Sequence, residues 1–360
     1  MYDIEFFRRV EPLRKKIVER QFTKADVPAL IEELEALVSA QPYVFNIETT
    51  NYCNMKCVMC PRTTLMTRKN MWIDGDDFAK VISQIKPHDP ERLAEFHNYV
   101  AERYNVSYDR PDENAFYFHV SSRCLTLHGY GEPMLDKHIL ERVRVCREHG
   151  VPTYFSCVPA NATVARVEEL MQAGLDVLKF SVDALDDEQQ KKVRGARNNF
   201  DAAFQTILDI LELKKAKGYQ TLIVVTMIEL STDAEAQAMH QRFLDLWKGR
   251  DVFAYIKSQD NRWYFEADEN LENRSHYEQQ YCEYPWTSFT VMADGSVVPC
   301  TQDYDVEMVL GNVREQTLEE IWNGERYRTF RSWHVSGNFP KGHKCAERCD
   351  QKKLCGYLKP

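Results

Sequence analysis

Along the middle of the chain, short apolar runs alternate with longer stretches of helical period. YVFNIETT, LTLHGYGEP, PTYFSCVPA, DVLKFSVDA, QTLIVVTMI and DVFAYIKS read as six strands, each closed by a turn or a polar loop. Between them, DGDDFAKVISQI, KHILERVRVCREHG, ATVARVEELMQAG, FDAAFQTILDILELKKAKG and DAEAQAMHQRFLDLWKG place apolar residues three and four apart, which predicts helices with one buried face. Strands that alternate with helices predict an α/β fold around a parallel sheet. Such sheets carry their functional residues at the C-terminal ends of the strands. NYCNMKCVMC, HGYGEP, SCVPAN and SVDA all occupy that position.

The pattern differs at three places. Residues 1–42 predict a helical extension: DIEFFRRVEPLRKKIVERQF and TKADVPALIEELEALVSA are amphipathic, with Thr23 or Asp26 as a helix cap, and are expected to form a surface layer. Residues 87–118 are rich in Pro, Asp, His and Tyr and predict a long irregular loop. Chain order puts this loop near the mouth of the sheet as a lid or binding loop, with His88, His97, Tyr99, Tyr104, Tyr108, Tyr117 and His119 available to substrate hydroxyls. After residue 265 the alternation stops. TSFTVMADGSVVPC predicts a hairpin turning at Asp294-Gly295, and TLEEIWNGERYRTFRSW a short helical stretch. The expected domains are 1–42, 43–265 and 266–360.

Charge narrows the function. The 360 residues carry a net charge of −9, which argues against a broad nucleic-acid footprint. No run of about 18 apolar residues predicts a membrane span. The first residues lack an apolar signal core, so a cytoplasmic, reducing location is expected. Eleven cysteines are few for a disulfide scaffold and unevenly placed, so the clustered ones read as metal ligands.

Cys53, Cys57 and Cys60 form a Cys-x3-Cys-x2-Cys loop after the first strand. Three thiolates can hold an iron–sulfur cluster and leave one iron open; a zinc knuckle with a distant fourth ligand is the other reading. With this loop the chain resembles a radical S-adenosylmethionine (SAM) enzyme with a C-terminal SPASM or twitch extension. The resemblance covers about residues 43–355. It implies a partial (βα)6 TIM-like barrel with a small α+β iron–sulfur domain, and SAM on the open iron of a [4Fe–4S] cluster. Gly129, Gly131 and Glu132 resemble the family's loop at the SAM amino group, although Tyr130 interrupts the usual adjacent glycines. Ser181 and Asp183 resemble the polar pair near SAM and its ribose, and Arg194 the arginine at the SAM carboxylate.

The tail fits the same resemblance. CEYPWTSFTVMADGSVVPC, LGNVREQTLEEIWN and CAERC match the extension's motifs. A full SPASM domain has cysteines enough for two auxiliary clusters; this tail has five, which implies one auxiliary [4Fe–4S] cluster. Cys282, Cys300, Cys345 and Cys349 are its expected ligands, Cys355 is a rival fourth, and a structural zinc site is the alternative. The implied chemistry is reductive cleavage of SAM to a 5′-deoxyadenosyl radical that takes hydrogen from substrate, with a flavodoxin- or ferredoxin-type electron donor. An auxiliary cluster that accepts the next electron gives oxidation. A thiol that returns a hydrogen gives epimerisation, and Cys157 is the candidate; Cys124 and Cys146 read as core. A small polar metabolite, sugar or aminocyclitol-like, is the favoured substrate, because no peptide-docking domain is apparent at the N-terminus. Lys257, Asp260 and Trp263 are candidate substrate contacts. Modification of a ribosomal peptide or protein side chain is the alternative, as is a non-catalytic, metal-stabilised binding protein.

Overall fold

Six parallel strands stand side by side in chain order: β1 (Val44–Ile47), β2 (Leu125–Thr126), β3 (Thr153–Cys157), β4 (Val177–Ser181), β5 (Leu222–Glu229) and β6 (Phe253–Ser258). The computed structural model describes residues 1–195, 199–258, 281–349 and 351–360. The sheet runs past β1 into the tail, where β7 (Phe289–Val291) pairs with β1 in parallel. β8 (Ser296–Val298) and β9 (Gly311–Asn312) follow antiparallel, with Gly295 at φ 84° in the predicted hairpin turn. The tail is therefore continuous with the sheet of the partial barrel.

Strand register sorts the side chains into two faces. Ser156 pairs with Lys179, Ser181 with Thr226, Thr226 with Tyr255, and Ile228 with Lys257, so these residues share the inner face. Phe155, Cys157, Leu178, Phe180, Val225 and Met227 point the other way, into a core shared with Val143, Leu170, Ile207, Ile210 and Trp247 of the surrounding helices. Each large side chain buried there contributes about 1.5–3 kcal/mol, which makes this layer the main anchor of the barrel.

The lower part of the inner face is filled from below, and the filling is the segment expected to be an irregular lid. Residues 90–104 form a regular helix, capped by Asp89, whose carboxylate accepts from the Glu91 and Arg92 amides. The helix ends on Asn105 at φ 54°. A short helix Glu113–Phe116 and a π-helical turn Tyr117–Ser121 lead into β2. Phe96, Phe116 and Phe118 pack with Tyr2 and Phe7 against inward-facing Tyr154, Val177, Val224, Phe253 and Tyr255. This is a floor at the N-terminal ends of the strands, opposite the mouth. The segment is amphipathic, and its aromatics had an uncovered sheet face to fill. Three of its polar side chains bond the N-terminal helices and Tyr2, while His97 Nε2 and His119 Nε2 are buried without a hydrogen-bond partner among the described residues. Tyr99 bonds Glu11, Tyr104 accepts from Arg14 at 3.1 Å, and His88 bonds the Tyr2 carbonyl at 2.9 Å.

The N-terminal helices Ile4–Arg9, Glu11–Val18 and Val27–Leu37 are a wedge rather than a surface layer. Phe6, Val10, Ile17, Leu30 and Leu34 share a core with Tyr281, Trp286, Val335 and Leu354 of the tail. Arg14 donates to the Glu283 carboxylate at 2.6 and 3.0 Å in a nearly dry site. Breaking a buried pair of this kind costs about 3–5 kcal/mol, so it locks the wedge to the tail.

Candidate active site at the barrel mouth

The cysteine loop leaves β1 and folds over the C-terminal ends of the strands. Cys57 is buried, Cys53 and Cys60 partly so. Met55, Cys57 and Val158 pack together, so the end of β3 supports the loop with apolar contact. Its other side is stitched to the helix Asp187–Arg194: the Lys56 amide donates to the Arg194 carbonyl at 3.3 Å, and the Val58 amide to the Val193 carbonyl at 3.0 Å. Asn54 and Asn161 exchange side-chain hydrogen bonds at 2.8 and 3.0 Å. Burial raises the pKa of all three thiols, that of Cys60 to about 11. Without a compensating cation these sulfurs resist ionisation, and a cluster would supply that compensation.

Arg194 supplies part of it. Its Nη1 lies 3.4 Å from Cys57 Sγ, and its Nε is paired with Asp183. Asp183 is 4% exposed, and its other oxygen accepts from the Ile228 amide at 2.9 Å. Ser181 shares a hydrogen bond with Ser156 at 3.0 Å. Ser181, Asp183 and Arg194 thus meet at one rim, as expected.

Glu132 is 3% exposed and accepts from the amides of Met134 (3.2 Å) and Val158 (3.0 Å). Burial outweighs these bonds and lifts its carboxyl pKa to about 7. The two glycines beside it are required by close backbone packing. A Cβ at Gly131 would lie 2.1 Å from the Thr50 carbonyl oxygen, and one at Gly129 would lie 2.8 Å from Glu48 Cγ. They let this loop lie flat on the end of β1. Glu48 is itself held by a buried, two-pronged bond to Arg68 at 2.9 and 2.7 Å, and Arg68 also donates to the Tyr304 carbonyl of the tail at 2.6 Å.

In the tail, Cys345 is buried, and its thiol is raised well above the ordinary range, first by burial and then by the charges of Cys300, Cys349 and Cys282. Those four sulfurs share one neighbourhood. Cys355 senses none of them and sits against Gly337, 3.5 Å from where a Cβ there would lie. This proximity supports Cys282, Cys300, Cys345 and Cys349 as a ligand set, with Cys355 the rival fourth.

A family model for the radical SAM superfamily matches residues 47–243, more than half of the chain, and one for the SPASM iron–sulfur cluster-binding domain matches residues 282–350. The chain belongs to the radical SAM superfamily. Among curated relatives, a tungsten-containing aldehyde ferredoxin oxidoreductase cofactor-modifying protein of Pyrococcus furiosus is 21% identical over 87% of this chain and 88% of its own. An S-adenosyl-L-methionine-dependent 2-deoxy-scyllo-inosamine dehydrogenase of Niallia circulans is 33% identical, but over 18% of this chain and 26% of its own length. The solved structure of anSMEcpe with bound AdoMet superposes at a TM-score of 0.52, with 14% identity, over 87% of this chain and 90% of that one. SuiB of Streptococcus suis bound to S-adenosylmethionine superposes at 0.52, also with 14% identity, over 88% and 75%. These superpositions show the fold.

As a radical SAM protein with a SPASM domain, the chain uses a [4Fe–4S] cluster, SAM and an auxiliary iron–sulfur site. The residues present fit both metal sites. Among the described residues no three His, Cys, Asp or Glu side chains gather tightly enough to hold a single metal ion. The donors at both sites are thiols, the ligands such clusters take.

One expected residue points away from the inner face. Cys157 is 2% exposed and lies in the outer core opposite Phe180, its partner in register. Strand alternation turns it away from the inner face, while the charges of Glu132 and Arg194 at the mouth still reach its thiol. Cys124 and Cys146 are core, as read from the sequence. Lys257 does reach the inner face; Asp260 and Trp263 lie outside the described residues. The residues that sequence reading missed are Lys179 and Ser156, both on the inner face of central strands. In DVLKFSVDA, the polar residues Lys179, Ser181 and Asp183 fall at period two among apolar ones, and that signal extends the site one pleat deeper than expected. A separate cleft of about 810 Å³, lined by Arg123, Arg147, Asp176 and Lys214, lies at the opposite strand ends, away from the cysteine loop.

Proposed function

We propose that the protein is a radical SAM oxidoreductase that removes two hydrogens from a small polar metabolite, turning an alcohol into a carbonyl. The observation that carries this reading is the closed thiol set of the tail. Four cysteines on one auxiliary cluster leave no iron free for substrate, which suits it to accept an electron rather than to bind a ligand. The dehydrogenase from Niallia circulans named above lends support through its activity. Cys53, Cys57 and Cys60 would hold the other cluster with one iron open. When bound, that cluster supplies the electron that cleaves SAM and starts the radical chemistry. Glu132 would face the SAM amino group, Arg194 its carboxylate, and Ser181 with Asp183 the nucleoside side. The burial of Glu132 and Asp183 keeps water from this rim. In such an oxidation the substrate carbon would give up a hydrogen atom to the SAM-derived radical and its hydroxyl a proton to solvent, and Cys282, Cys300, Cys345 and Cys349 would hold the cluster able to take up the remaining electron. An electron donor of flavodoxin or ferredoxin type would reload the system.

The test is a pair of variants read by product mass after anaerobic reconstitution. Cys345→Ala should still cleave SAM but give no product two hydrogens lighter than substrate, with iron falling from about eight to about four per chain. Cys355→Ala should keep the iron content. A wild-type product of unchanged mass, isomerised rather than oxidised, would sink the oxidoreductase reading.

A further inference from the structure

The inner face carries an unneutralised charge that the chemistry above does not use. Lys179 stands in the middle of β4, one pleat below Ser181 on the same face, and is 6% exposed. Its ammonium lies over the ring of Phe116 at 4.8 Å, with Tyr154 at 5.9 Å and Tyr255 at 6.0 Å, so aromatic faces close it off from below. Among the described residues it makes no ion pair. Lys257, on the same face of β6, bonds its neighbouring Ser258 carbonyl at 3.4 Å and makes no ion pair among the described residues. The charges of Glu113 and Asp183 reach it, but Glu113 Oε2 accepts from the Ser258 amide at 3.0 Å and Asp183 is paired with Arg194, whose own positive charge also weighs on Lys179. Burial and the charge of Lys257 together lower the Lys179 pKa to about 7. A buried ammonium without a counter-ion is costly, and a second cation beside it adds to the cost. The arrangement makes physical sense when a ligand brings the missing negative charge.

Resting on the oxidoreductase reading, the geometry points to a narrower substrate class: a polyhydroxy compound that bears an anionic group, carboxylate or phosphate, held by Lys179 beneath the SAM rim and by Lys257 at the level of Asp183. Seating the anion at the floor would leave the hydroxylated carbons at the level of Ser156 and Ser181, next to the radical source. An aminocyclitol, itself a cation, would be repelled from the same position.

The experiment is calorimetric titration of SAM-loaded, unreduced holoenzyme with glucose 6-phosphate, glucuronate, inorganic phosphate, glucose and glucosamine. Anionic probes should bind at least tenfold more tightly than glucose, and glucosamine more weakly still. Preference for the phosphates or for glucuronate assigns the anion. Lys179→Met and, in case that variant folds poorly, the half-buried Lys257→Gln should each remove at least tenfold of that binding and leave SAM affinity in place. Equal binding of glucose, preference for glucosamine, unchanged binding in the folded variants, or no binding by any anionic probe overturns the inference. The titration needs no turnover, so it can succeed where the oxidation assay fails, and the reverse.

Discussion

The two ends of the barrel interior are built from opposite materials. At the mouth, Glu132, Asp183, Arg194 and three thiols crowd into a partly dry space, and the burial of Glu132 and the thiols holds them off their ordinary ionisation. At the floor, Tyr2, Phe96, Phe116 and Phe118 close on one another and on the strands. A folded chain minimises its own free energy only at the floor. The mouth is held in a costly state by its surroundings, which is the mark of a surface completed by something else. The contrast can be broken at either end.

The largest effect is expected at the mouth. Cys57→Ala should abolish deoxyadenosine formation and remove about four irons per chain, while the tail cluster remains. Residual SAM cleavage by this variant would mean that the loop is not where the chemistry begins. At the floor, Phe116→Ala deletes a ring 5.4 Å from both Tyr154 and Tyr255. Its cost should be about 3–5 kcal/mol of stability, read by chemical denaturation, with SAM affinity nearly kept in the folded fraction. Loss of SAM binding without loss of stability would reverse the roles assigned to the two ends. Arg194→Lys is milder. An ammonium cannot serve Asp183 and Cys57 together from a planar fork, and one charge-assisted bond is worth about 1.5–3 kcal/mol, so SAM should bind roughly 10- to 100-fold more weakly.

Much of the mouth was legible because its signals are local. The three cysteines share one loop, and Ser181 and Asp183 share one strand end. The strands were legible for the same reason: period and flanking turns lie within each segment. What escaped was decided at long range. Residues 87–118 have the composition of a loop, but the uncovered aromatic face of β3 and β6 recruited them as a floor. Met1 to Phe7 look amphipathic in isolation, yet they are buried between that floor and the tail. The orientation of Cys157 hangs on a one-residue alternation: on β3, Ser156 faces in and Cys157 faces out, and only the pairing with Lys179 and Phe180 sets which is which.

Lys179 sits where the two ends meet, and it gives the smallest and most discriminating prediction. In the ligand-free protein its charge is a burden on the fold, so Lys179→Met, which keeps the length of the side chain and its contact with Phe116, should stabilise. The expected gain is about 1–3 kcal/mol near neutral pH. The sign follows from the proton balance. The lysine pKa is lowered to about 7 in the folded chain from an ordinary 10.5, so between those values the unfolded chain binds the extra proton. Wild-type stability then rises with pH across that window through this group, and the full burden is present below pH 7. The advantage of the methionine variant should accordingly be greatest below pH 7 and fade as pH approaches 10.5, as followed by denaturation of both proteins across the range. A variant that is less stable than wild type at pH 6 would mean that the ammonium is already satisfied by its aromatic neighbours, and the floor would then reach one pleat higher than the contrast drawn above.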